Sequence, residues 1–131
     1  MSVGFEKSVR LRMFFGKALH EAFGEIPYHV GSSAKSKSWR DVDVVVMLSD
    51  DIFAERFGGV IGQEGFREDQ WEITCLAFSL LGKELTGLPI DFKIQSMRWA
   101  NDHFPGSKDH PRSALFAIFP VSSFRFEEIS K

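Results

Sequence analysis

Apolar and polar positions follow two rhythms along this chain. Over residues 6–23, Val9, Met13, Leu19, Ala22 and Phe23 fall mostly on one helical face, with Lys7, Arg10, Lys17 and Glu21 mostly elsewhere. That spacing predicts an amphipathic helix, which Gly24 can stop. A second long helix is predicted over residues 67–85, with Trp71, Leu76 and Leu80 on its core face. Three runs read as strands: residues 26–30, 41–48 (DVDVVVML) and 88–95 (LPIDFKIQ). The second is the clearest, being rich in β-branched residues.

The stretches between them are polar or glycine-rich. Residues 31–38 (GSSAKSKS) read as a turn running into a short helical piece. Asp50 and Asp51 read as a helix N-cap before Ile52, and residues 52–57 as a helical turn. Gly58, Gly59, Gly62 and Gly65 mark a loop that lacks the ending of a P-loop. Residues 100–113 read as a loop. The Phe-rich stretch 114–126 suggests an edge strand at Phe124–Phe126, with helix or strand open for 114–119. The predicted fold class is α/β (α+β), with a mixed sheet of about three to five strands and two long helices.

Composition narrows this further. A length of 131 residues implies one domain over residues 1–131, with a core near 5–95 and a C-terminal extension near 100–131. Hydrophobic residues make up 44% and charged residues 26%, which is a globular balance. Fourteen Phe can build an apolar core without cross-links. The single cysteine, Cys75, excludes an internal disulfide and sits in an apolar stretch, so a buried thiol is expected. No run is long enough to span a bilayer, and no apolar leader opens the chain. A cytoplasmic, reducing setting is the expectation. The net charge of −2 argues against long nucleic acid as a partner.

The chemistry concentrates in residues 30–46. Asp41 and Asp43 alternate at the start of a strand, so both carboxylates project from one face while Val42, Val44 and Val46 take the other. Two acids on one face repel, and a hard divalent ion such as Mg²⁺ resolves that repulsion. Gly31 and Ser32 follow the preceding strand, where a tight turn and backbone N–H groups can hold phosphate oxygens. Lys35, Lys37 and Arg40 add positive charge. A third acid, Asp91, lies on a later strand, with Lys93 on its face. Lys93 has two readings: a phosphate contact, or an ion pair with Asp91. Aspartyl-phosphate phosphatases and glycosyltransferases also carry a D-x-D, but there the apolar strand precedes the acids, and here it follows them. His20, His29, His103 and His110 lack metal-ligand spacing; His103 and His110, in a Pro/Gly loop, have a surface reading and a substrate-pocket reading.

Val30-Gly31-Ser32, a gap of eight residues, Asp41-Val42-Asp43-Val44 and then Asp91 resemble the nucleotidyltransferase superfamily of DNA polymerase beta, in particular its minimal single-domain members. The resemblance covers about residues 5–95; Arg40 and Ser36 depart from the usual pattern. It implies a metal site of Asp41, Asp43 and Asp91 holding two Mg²⁺ (or Mn²⁺) ions, with Asp91 helping to activate the acceptor hydroxyl. It assigns Gly31 and Ser32 to the nucleotide triphosphate; Lys35 and Lys93, by their charge and position, are further candidate nucleotide contacts. The implied reaction moves a nucleoside monophosphate from an NTP to an acceptor hydroxyl on a small molecule, a protein or an RNA end. The alternative is an interaction protein of the same fold, such as an antitoxin-like partner of a separate helical protein, or a homo-oligomer.

Overall fold

The computed structural model describes residues 4–31, 40–104, 106 and 111–116. Two helices, α1 (Phe5–Arg10) and α2 (Lys17–Phe23), are joined by a π-helical stretch, Leu11–Gly16. Gly24 ends α2 in the left-handed region at φ 72°, its N–H bonded to the His20 carbonyl at 2.7 Å. Strands β1 (Tyr28–Val30) and β2 (Val42–Leu48) follow, then α3 (Asp50–Phe57) and the long α4 (Glu68–Thr86). Strand β3 (Ile90–Ser96), α5 (Met97–His103) and β4 (Ser113–Ala114) complete the described order.

The four strands form one mixed sheet in the order β3-β2-β1-β4. β2 and β3 run parallel, and β1 is antiparallel to both β2 and β4. This is an α+β architecture of the expected class. The long α4 lies in the crossover that a parallel pair requires. Val42, Val44, Val46 and Leu48 alternate along β2 into the core, as do Phe92 and Ile94 on β3. The opposite face carries Asp43, Val45 and Met47 beside Asp91, Lys93 and Gln95.

The first helix keeps Leu19 and Phe23 of its predicted face on the core but turns Met13 and Ala22 outward. Leu11, Phe15 and Leu19 are buried, whereas Met13 and Ala22 are exposed. Two close contacts set this orientation. Phe15 lies against Gly82 of α4, where an added Cβ would come within 2.8 Å of the ring, and Gly16 lies against Leu115. The Phe15 ring also meets Phe92 edge-on at 6.2 Å.

Helix α4 is likewise rotated. Cys75, Gly82 and Thr86 are buried, with Trp71, Phe78 and Leu85 packed on the core. Leu76 and Leu80, predicted to face inward, are 52% and 58% exposed. The cause lies in β3 and Phe15. The Ser79 hydroxyl accepts the Phe92 N–H at 2.8 Å, and Gly82 admits Phe15. Ser79 occupies that N–H on an edge strand.

The other differences concern caps. Ser49, not Asp50 or Asp51, caps α3: its hydroxyl accepts the Ile52 N–H at 3.3 Å. Asp50 instead binds Arg98, accepting its N–H at 3.2 Å and facing its guanidinium at 3.4 Å. The segment after β3 is helical because Ser96 caps it, accepting the Trp99 N–H at 3.2 Å. Ala114 belongs to the edge strand β4, while Phe124 and Phe126 lie outside the described residues. No helix among the described residues is long and apolar enough to cross a membrane.

His29 is a buried polar member of β1, 4% exposed. Burial first, and then the Arg12 charge, lower its pKa from 6.5 to about 4. The unfolded chain therefore takes up this proton first as pH falls, and folding stability drops between about pH 6.5 and 4. Melting curves across that window should show the decline, flattened in His29→Gln. Phe15→Ala should cost about 3–5 kcal/mol in denaturant unfolding, because it leaves a cavity under Phe92. Leu80→Ala should stay within about 0.5 kcal/mol, since Leu80 faces outward.

Candidate functional site

Asp41 is an exposed bend residue just before β2, and Asp43 is the second residue of that strand. Asp43 faces Val30 across the antiparallel β1 pairing and Asp91 across the parallel β3 pairing. Neighbouring strands lie about 4.8 Å apart, so the two acids stand side by side on one face. Burial raises the Asp43 pKa, and the nearby charges of Asp91 and Asp41 raise it further, while Lys93 works the other way. In this register the later strand sets Asp91 beside Asp43, the second acid of the D-x-D.

Gly31 ends β1 directly against this group. Its φ of 79° is left-handed, and a Cβ there would collide with the Asp43 carboxylate. The left-handed φ favours glycine, and any side chain there would also push the Asp43 carboxylate aside. The turn predicted to cradle phosphate therefore starts beside the acid predicted to hold metal. Ser32 and Lys35 lie outside the described residues, as do Ser36, Lys37 and Trp39.

Lys93 forms the ion pair that was one of its two readings, with Nζ 3.3 Å from Asp91 Oδ1. Both side chains are about half exposed. Trp71 on α4 joins this group, which sequence reasoning did not find. Its Nε1–H donates to the Ile94 carbonyl at 2.8 Å, and the Lys93 ammonium lies 5.9 Å from its ring centroid. No sequence signal links a helix residue to a strand more than twenty positions later; only the packing of α4 on β3 does.

Among the described residues, no group of three or more His, Cys, Asp or Glu side chains is gathered in a form that could hold a metal ion. The donor chemistry present is the Asp43–Asp91 pair with Asp41 nearby. Two adjacent carboxylates suit Mg²⁺, which takes one or two protein carboxylates and fills its remaining positions with water and substrate phosphate. Cys75 is 2% exposed, and burial raises its thiol pKa, so it is no nucleophile. His103 stacks on Trp99 at 4.4 Å and bonds its carbonyl through Nδ1, and His110 lies outside the described residues.

The same sheet face carries a cleft of about 220 Å³, lined in part by Glu25, Tyr28, Met47, Met97, Asn101 and Arg112. Met47 lies four residues along β2 from Asp43. Arg112 ties this wall together, donating to Asn101 Oδ1 at 3.1 Å and to the Phe104 carbonyl at 2.6 Å.

Comparison of the chain with family models, curated proteins and solved structures found no match.

The raised Asp43 pKa means that its ionised form is less favourable folded than unfolded. Asp43→Asn should therefore raise the Tm at pH 7. The gain should fade as pH falls toward the ordinary Asp value of 3.8, where wild type also becomes neutral. Thermal unfolding at pH 7 and pH 4 measures both.

Proposed function

We propose that this protein is a metal-dependent nucleotidyltransferase. It transfers a nucleoside monophosphate from an NTP to an acceptor hydroxyl and releases pyrophosphate. One observation carries this reading: Asp43 is paired in register with Asp91 and packed against the Gly31 turn. A fold that only needed a polar strand end would have no use for two adjacent like charges beside a left-handed glycine.

Asp43 and Asp91, with Asp41, would hold Mg²⁺ or Mn²⁺. When bound, such ions neutralise charge on the transferred phosphoryl group and lower the pKa of a coordinated hydroxyl. The chain's own residues do the rest. The Gly31 turn brings backbone close to Asp43, and with Ser32 and Lys35 it orients the triphosphate. Asp91 steers the acceptor oxygen and draws on its proton. That oxygen attacks the α-phosphorus in line, and the bond to the pyrophosphate oxygen breaks. The cleft between the sheet face and α5 offers a place for the acceptor. Its mixture of Glu25, Asn101, Arg112 and two Met side chains suits a small polar molecule or a protein side chain better than a long anionic strand.

A second reading has its own observation. Ile73, Leu76 and Leu80 lie on the outer side of α4, with Ile73 61% exposed. An apolar stripe of that kind suits a protein partner, such as a separate helical protein or a second copy of this chain. Such a partner is compatible with catalysis.

The deciding experiment incubates the protein with each labelled NTP, Mg²⁺ or Mn²⁺ and a panel of acceptors. Labelled product and pyrophosphate should form. Asp41→Ala/Asp43→Ala should lower the rate about a thousandfold, the scale of losing several kcal/mol of charge stabilisation. Transfer that survives the double substitution would sink the assignment.

A further inference from the structure

Lys93 stands where the acid pair meets α4. Its Nζ lies 3.3 Å from Asp91 Oδ1 and 5.9 Å from the Trp71 ring centroid. The indole is not free to drift. Its N–H is bonded to the Ile94 carbonyl, and its ring contacts Phe66 at 6.0 Å. Phe66 in turn stacks near Phe53, which is fully buried. The lysine is thus long and half exposed, yet it rests on an aromatic platform anchored in the core.

Asp43, Asp91 and Asp41 gather negative charge at one end of the sheet, and Lys93 is the cation bonded to Asp91. A divalent ion bound through Asp91 needs the same carboxylate oxygens. Both cannot hold them fully at once. An exposed ion pair is worth little, so the ammonium can be displaced at small cost. Once displaced, it remains tethered over the indole face, beside the oxygens that an incoming triphosphate brings. An ammonium is a compact point charge with three donors and suits a phosphate oxygen in that role.

We propose that Lys93, seated on Trp71, is the resident counter-ion of the empty acid pair and exchanges Asp91 for a nucleotide phosphate oxygen when a divalent ion enters. This inference rests on the nucleotidyl-transfer reading. It joins the two readings of Lys93 as two states of one side chain. Trp71 acts through Lys93 and is a positioning residue.

The test is binding, without turnover. Lys93→Met is titrated with Mn²⁺ alone, and separately with the Mg²⁺ complexes of the α,β-methylene analogues of ATP, GTP, CTP and UTP. Removing the competing cation should tighten Mn²⁺ alone by about two- to fivefold, the scale of an exposed ion pair. Losing a charge-assisted phosphate bond should weaken the best analogue by about tenfold or more. These opposite signs are what a merely structural lysine would not produce. Trp71→Phe, which keeps a ring under the ammonium, should stay near wild type. Trp71→Leu should shift both affinities in the Lys93→Met direction. Lys93→Met alone decides the exchange if Trp71→Leu fails to fold. Shifts of the same sign, or no shift, with wild type binding both probes, would overturn the exchange while leaving nucleotidyl transfer standing. Wild-type protein that binds neither Mn²⁺ nor any analogue would overturn both.

Discussion

Two carboxylates on adjacent strands repel each other, and here the hydrophobic core holds them together. Val42, Val44 and Val46 of β2 are fully buried, as are Phe92 and Ile94 of the parallel β3. Sliding either strand by one residue would turn those side chains out to solvent and the acids inward. A slide of two would keep the faces but break the alignment of Phe92 with Val44 and Ile94 with Val46. The burial of these apolar side chains outweighs the electrostatic cost of standing Asp43 beside Asp91. The candidate site therefore depends on a register that the core enforces.

The helical layer secures that register from behind. Phe15 reaches the sheet at Phe92 by passing over Gly82, and Phe23 and Phe78 close around the same ring. Ser79 occupies the Phe92 N–H, so the helix is tied to the edge strand by a hydrogen bond as well as by packing. Trp71 repeats the device about two turns earlier, bonding the Ile94 carbonyl. The residues that support β3 from α4 also lead to Lys93, and through it to Asp91. Support and electrostatics thus run along one path.

On the open face the sheet is only partly covered. Asp43 and Asp91 lie toward one end, and the cleft beside Met47 lies further along β2. The wall built from α5 and Arg112 comes from the C-terminal part of the chain, beyond the core that the resemblance covers. The apolar outer side of α4 faces away from the core, so a partner could bind there and leave the acids open.

Much of the site could be read in the chain before folding. The alternation of Asp41, Val42, Asp43 and Val44 announces a strand with acids on one face, because strand geometry has a period of two whatever surrounds it. Gly31 announces a turn because its missing Cβ is a local property. The helices at either side, the Gly24 stop of the first and the buried Cys75 were legible for the same reason. What the sequence could not decide was which face of each helix would be covered. Leu76 and Leu80 have the right spacing for a core face, but Gly82 and Ser79 dock α4 by a different one. A small side chain that admits a neighbour leaves no hydrophobic signal. Nor could the chain alone show that Ser49 rather than Asp50 caps α3, since Asp50 is taken by Arg98 from the distant start of α5. The pairing of Asp43 with Asp91, the close approach of Gly31 to the Asp43 carboxylate and the seating of Lys93 on Trp71 all join residues far apart in sequence. Local patterns set what each segment can become, and only the packing of segments determines which charges meet.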